Sequence, residues 1–195
     1  MEPLSPVEEH PLQPFLPPNS HILFLGSFPP PRHRWCMEFY YPNMQNDFWR
    51  IAGILFFGDK ERFVHPLTHK FDKEAIVSFL QEKGIALYDT ACAVRRLKGN
   101  ASDEFLETVT ITPLEKLLPA IPLCHDVCVT GGKALDNIIL ITGAQPPAIG
   151  EYTHFTMNSR EYRLWRMPSS SRAYPLPIYK KVAFYHPMLS TAGIL

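Results

Sequence analysis

Short apolar runs that end at glycine or a polar residue alternate along the chain with stretches whose apolar residues recur at helical spacing. The run His21-Ile-Leu-Phe-Leu25 stops at Gly26 and predicts a buried strand. Asp47 to Phe56 places Phe48, Ile51, Ala52 and Leu55 on one helical face, with Asn46 where an N-cap would stand. Asp72 to Lys83 is the clearest helix: Ala75, Ile76, Phe79 and Leu80 share a face and Gly84 closes it. Ile85–Tyr88 and Val127–Thr130 predict two more buried strands, and Pro113 opens a short helix to Leu118. Gly131-Gly132 leads into a helix through Leu140. Tyr152–Met157 and Tyr162–Met167 predict strands joined by a turn at Asn158-Ser159, and a last helix is expected from about Pro177 to Tyr185. Strands spaced by helices imply an α/β fold with a mainly parallel sheet covered on both faces.

Ahead of this pattern, residues 1–20 hold six prolines, three glutamates and no Lys or Arg. They predict an extended acidic arm, packed on the surface or loose, before a single α/β domain at 21–195. At 195 residues and 46% hydrophobic content the chain can bury a full core, and wholesale disorder is excluded. No apolar run approaches the roughly 18 residues of a membrane span. Met1 is followed by Glu2, Glu8 and Glu9, so a secretory signal is not expected. With Cys36, Cys92, Cys124 and Cys128 read as free thiols, the expected setting is cytoplasmic, nucleoid-associated if prokaryotic.

Nineteen basic and 19 acidic side chains cancel, which argues against a polybasic protein but leaves room for a local patch. Between Arg160 and Lys181 six cations face one anion, Glu161.

Ligands of parallel sheets bind beyond the carboxyl ends of the strands, and the four loops there are chemically unusual. The first is Gly26-Ser27-Phe28-Pro29-Pro30-Pro31, where glycine permits close approach and prolines fix the path. Next, Phe39-Tyr-Tyr41-Pro-Asn43-Met-Gln-Asn46-Asp-Phe-Trp49 sets flat rings beside carboxamides, as a nucleobase pocket would need. The plainer reading makes Asn46 a helix cap and Phe48 and Trp49 core. The third loop offers Arg95, Arg96 and Lys98 as phosphate contacts, or is a solvated turn. Asp89 at its start could serve as a general base, but a lone acid after a strand is more often a cap or loop acid. The fourth, Met167-Pro168-Ser169-Ser170-Ser171-Arg172, is a stiff, hydroxyl-rich loop suited to gripping a phosphodiester, or an ordinary polar turn. His65 and His69 have a metal-compatible spacing, but Pro66 lies between them, so no metal or cofactor is expected.

Together these segments resemble the uracil-DNA glycosylase superfamily, most closely its hypoxanthine-DNA glycosylase branch. The resemblance rests on Gly26-Ser27-Phe28-Pro29, Tyr40-Tyr41…Asn46-Asp47-Phe48-Trp49, Leu87-Tyr88-Asp89 with Arg96…Gly99…Ser102-Asp103, and an MPSSS loop like that of the thymine and mismatch glycosylases. It implies a three-layer α/β/α sandwich around a four-stranded, mainly parallel sheet. It also implies an enzyme that flips a deaminated or mismatched base out of DNA, duplex or also single-stranded, and hydrolyses its N-glycosidic bond. With no candidate lysine nucleophile in these loops it is expected to be monofunctional, and a monomer. By the same resemblance Asn46 and Ser27 are catalytic, and Gly26, Phe28, Tyr41 and Asn43 form the base pocket. Pro168, Ser169, Ser170, Ser171 and Arg172 would form the loop that enters the DNA. Two departures stand out: Ser27 and Phe28 occupy the place of the usual first-loop Asp or Asn, and Met167 replaces a penetrating-loop His. They keep a second reading open, a catalytically weak or inactive relative that binds nucleic acid or nucleobases.

Overall fold

The computed structural model describes residues 5–97 and 105–195. In chain order, β1 (Val7–Glu9) and β2 (Ile22–Gly26) precede α1 (Phe48–Phe57) and α2 (Lys73–Lys83). Then come β3 (Ile85–Asp89), β4 (Ala91–Arg96), β5 (Leu106–Ile111) and α3 (Leu114–Leu117). The chain closes with β6 (Asp126–Thr130), α4 (Gly132–Thr142), β7 (Tyr152–Met157), β8 (Arg160–Met167) and α5 (Ile178–Thr191).

The main sheet has the order β3-β2-β6-β8-β7. Its first four strands are parallel, and β7 adds an antiparallel edge. The expected four-stranded sheet is therefore five-stranded, because the β7–β8 hairpin folds back on itself at Asn158 and Ser159. Both turn residues take positive φ (51° and 60°), the twist a tight two-residue hairpin turn needs. β2, β3 and β6 are buried along their whole length, which is why they read as unbroken apolar runs.

α1, α2 and α5 share one face, where Phe48, Phe79 and Tyr185 meet Phe24 of β2 around a small apolar gap. The connections β2→β3 and β3→β6 cross the sheet in opposite senses, so right-handed crossovers place them on opposite faces. α4 packs against β6 and β7. α2 has its expected cap, with Asp72 Oδ1 accepting from the Ala75 N–H at 3.1 Å. α5 runs past the expected end at Tyr185 to Thr191 and carries Pro187 within it.

A second sheet, β1-β4-β5, is antiparallel and was not expected from the sequence. It makes a strand of the segment read as a loop after Asp89 and draws the N-terminal arm into the fold: Val7 pairs with Arg95 and Glu9 with Ala93. Farther along the arm, Phe15 bridges to Leu87, and Tyr40 Oη donates to the Gln13 carbonyl at 2.8 Å.

Candidate functional site

A cleft of about 850 Å³ lies at the carboxyl ends of β2, β3, β6 and β8. It is walled by the loop from Gly26 to Pro30, the segment from Tyr40 to Asn46, Asp89, Thr130 and the stretch from Ser169 to Pro175. Gly26, Ser27, Phe28, Tyr41, Asn43, Asn46, Ser169, Ser170, Ser171 and Arg172 all line it. Segments more than a hundred residues apart in sequence therefore share one cavity.

Two of these segments are joined directly. Asn46 and Ser171 form an antiparallel bridge. The Asp47 N–H donates to the Ser170 carbonyl at 2.8 Å, and the Arg172 N–H to the Gln45 carbonyl at 3.0 Å. Beneath them Asp47, 6% exposed, accepts from Arg172 Nε at 2.9 Å and from Lys181 Nζ at 3.3 Å. Lys181 also donates to the Ser171 carbonyl at 2.8 Å. A buried carboxylate answered by two cations costs far less than an unpaired one. The network fixes the triple-serine loop against the start of α1.

Asn46 is not the N-cap of α1. Asp47 takes that position, without a side-chain cap bond. Asn46 Oδ1 instead accepts from the Phe48 N–H at 2.9 Å, a local side-chain-to-backbone turn. With that acceptor engaged, Nδ2 makes no hydrogen bond among the described residues. Asn43 behaves alike, its Oδ1 receiving the Gln45 N–H at 2.9 Å.

Tyr41 has φ 48°, a left-handed conformation that costs energy for a bulky residue and is retained where packing imposes it. Its ring stacks on Phe48 with centroids 3.9 Å apart, and its hydroxyl lies 3.0 Å from Thr130 Oγ1. Burial first, and then the nearby Asp89 carboxylate, push the Tyr41 and Tyr40 phenols well above the ordinary range. Both rings stay neutral at physiological pH.

On the cleft floor beside Gly26 stands Asp89, favoured in the sequence as a cap or loop acid, with a partner in His10 that the sequence did not suggest. Asp89 is 7% exposed, and His10 Nε2 from the arm donates to its Oδ2 at 2.9 Å. Phe28 is taken up by the same group, edge-on to His10 at 5.2 Å and under the Arg96 guanidinium at 5.6 Å.

Other residues lie outside the cleft lining. Pro168 is behind it, its carbonyl accepting from Tyr185 Oη at 3.1 Å. Arg95 and Arg96 sit on β4, paired with Glu107 at 3.2 Å and Glu8 at 3.0 Å. Arg96 also donates to the Pro29 carbonyl at 2.6 Å. Lys98, Gly99, Ser102 and Asp103 fall outside the described residues. The cation run from Arg160 to Lys181 is largely engaged, with Arg172 and Lys180 its exposed members. Lys181 is fully buried, Arg163 is paired with Asp126 at 2.7 Å, and Arg160 and Arg166 bond to backbone carbonyls.

No helix among the described residues is long and apolar enough to cross a membrane. No family model matches the chain, and no curated protein matches it in sequence. Several solved structures are similar in fold, one of them over nearly the whole chain. It is the solution NMR structure of a protein from Methanosarcina acetivorans described as a "putative Uracil DNA glycosylase". The two are 21% identical and superpose with a TM-score of 0.65 over 96% of this chain and 99% of that one, so the likeness is one of fold.

Proposed function

We propose that the protein is a monofunctional DNA glycosylase that extrudes a deaminated or mismatched base, uracil, hypoxanthine or a relative, and hydrolyses its N-glycosidic bond. The observation that carries this reading is the meeting of Asn46 and the Ser169–Arg172 loop in one cleft, joined by main-chain hydrogen bonds. The fold shared with the Methanosarcina acetivorans structure supports it.

The target carbon is unreachable inside stacked DNA, so the nucleotide must leave the duplex to react. A cleft of about 850 Å³ has room for a nucleoside. Tyr41, held by Phe48 and Thr130, offers a rigid flat surface for the extruded base. Negative charge builds on the base as the bond breaks. Asn46 Nδ2 would supply a donor to meet it, since Oδ1 accepts from the Phe48 N–H and leaves Nδ2 the free end of the amide. The serine loop would grip the backbone beside the flipped nucleotide. Arg172, pinned through Nε to Asp47 and 43% exposed in its side chain, is suited to a phosphate rather than to insertion in the stack. No lysine lines the cleft among the described residues, which fits hydrolysis without an amine-linked, strand-cleaving step.

The test is a panel of duplexes carrying a single uracil, hypoxanthine, xanthine or mismatched thymine. Abasic sites revealed as alkali-dependent nicks, with no nicking before alkali, are expected for at least one of them. Binding without any abasic product would overturn the enzyme reading in favour of a nucleic-acid-binding protein.

A further inference from the structure

The first loop, Gly26 to Pro31, contains no carboxylate or carboxamide of its own. Parallel pairing of β2 with β3 nevertheless sets Gly26 beside Asp89. The two are so close that a β-carbon at Gly26 would collide with Asp89 Oδ1. A side chain at position 26 would have to displace the carboxylate, whose Oδ1 occupies the space it would take.

The two oxygens of Asp89 have different surroundings. Oδ2 accepts from His10 Nε2 at 2.9 Å. Oδ1 has no partner among the described residues and is not sealed from solvent, although the residue as a whole is buried. Since Asp89 lines the cleft, that oxygen opens into it.

His10 is held in turn. Its Nδ1 lies 3.1 Å from the Leu12 N–H nitrogen and 2.8 Å from the Leu12 carbonyl oxygen. Its ring packs against Tyr88 at 4.7 Å and Phe28 at 5.2 Å, and its side chain is 3% exposed. A carboxylate facing Nε2 selects the form with a proton on that nitrogen. The arm thereby delivers a fixed donor to a fixed acid, the arrangement in which one group orients another for catalysis.

We infer that Asp89 is a catalytic carboxylate for this cleft and that His10 is its positioning residue. The inference rests on the glycosylase reading and divides the work between two groups. As the C1′–N bond breaks, its electron pair leaves with the base, toward the Asn46 amide, and positive charge spreads over the sugar. The anionic Asp89 stabilises that charge. A water oxygen then bonds to C1′ and its proton passes to Asp89 Oδ1. The proton returns through solvent to the departed base, leaving an abasic sugar and a neutral base.

The test is single-turnover excision on the duplex the wild type prefers, with DNA affinity and melting temperature measured for every variant. Asp89→Asn is expected to slow excision by about 100-fold or more, the usual worth of a general base, with affinity within about threefold. Asp89→Ala should be slow and should recover at least about tenfold with added formate, which a purely structural residue would not do. His10→Phe should lower the rate by about tenfold at unchanged affinity, and His10→Gln, which keeps a donor, should restore most of that loss. Wild-type rates for Asp89→Asn, or no response of Asp89→Ala to formate, would overturn this assignment and leave the glycosylase reading standing. A wild-type protein that excises nothing from any duplex would overturn both.

Discussion

Lys181 donates to Asp47 at 3.3 Å while fully buried, joining α5 to the first turn of the segment that carries Asn46. The same ammonium holds the Ser171 carbonyl at 2.8 Å, so one side chain sets the spacing of two cleft walls. Lys181→Met keeps the length and apolar stem but leaves Asp47 with Arg172 alone. Breaking a buried pair from one side costs about 3–5 kcal/mol. The remaining Arg172 contact should hold the loss near the low end. For a chain of this size that is a fall in melting temperature of about 6–12 °C. Calorimetry of the two proteins measures it, and an unchanged melting temperature would show that the buried network does not fix the walls.

Gly26→Ala tests the crowding at the cleft floor independently of any charge change. The new methyl must displace the Asp89 carboxylate, which His10 holds from behind. Overpacking of this kind costs about 1–3 kcal/mol. The expected outcome is a folded protein with excision reduced by at least about tenfold, read from single-turnover rates. Full activity in Gly26→Ala would mean that the carboxylate can shift without consequence.

Arg172→Ala should weaken DNA binding and flatten its dependence on salt. Each phosphate contact releases about one counterion, so the slope of log affinity against log salt should fall in magnitude by about one. Arg95→Ala, on β4 outside the cleft lining and paired with Glu107, should leave the slope as it is. Fluorescence anisotropy over a range of salt concentrations separates the two. A change in Arg95→Ala with none in Arg172→Ala would place the DNA path over β4 rather than over the serine loop.

Alkali should destabilise the protein earlier than its acid and base counts suggest. Burial raises the Tyr40, Tyr41 and Tyr185 phenols and the Cys128 thiol, and pushes the Cys124 thiol up to about 12. Each group is neutral when folded and ionises more readily once unfolded. The native state is therefore favoured fully below the ordinary values, near 9 for thiols and 10 for phenols. That advantage is lost as pH climbs toward the raised native values. Melting temperature should fall progressively above about pH 9. Tyrosinate absorbance of the folded protein should show the buried phenols silent until the protein unfolds. Titration of all eight tyrosines near pH 10 without unfolding would contradict this.

The parts of the fold that could be read in the sequence are those whose cause is local. Ile22 to Gly26 and Val127 to Thr130 are strands buried on both faces, so every residue is apolar or small and the run announces itself. Asp72 and Gly84 bracket α2 with chemistry contained in single residues. β4 was hidden because Arg95 and Arg96 look like solvated cations until Glu107 and Glu8 arrive from other segments to pair with them. α5 hid its last turns behind Pro187, which ordinarily marks a helix end.

At the site the same division holds. The loops beyond the strands could be picked out, and ten of the residues chosen there line the cleft. Asp89 was visible as an acid after a strand, but its partner His10 lies 79 residues away in a proline-rich arm with no motif around it. Lys181 read as one more cation because nothing nearby in sequence reveals that it faces Asp47, 134 residues earlier. Long-range ion pairs depend on how the elements pack, which no short window of sequence records.

The most direct measurement compares wild type with Asn46→Ala in single-turnover excision, on whichever lesion duplex the wild type processes fastest. Removing a donor aimed at developing negative charge should slow excision by about 100- to 1,000-fold. The lost side-chain-to-backbone hydrogen bond at the start of α1 should cost only about 0.5–1.5 kcal/mol of stability. A folded Asn46→Ala protein that excises at the wild-type rate would contradict the central claim that this amide carries the chemistry of the cleft.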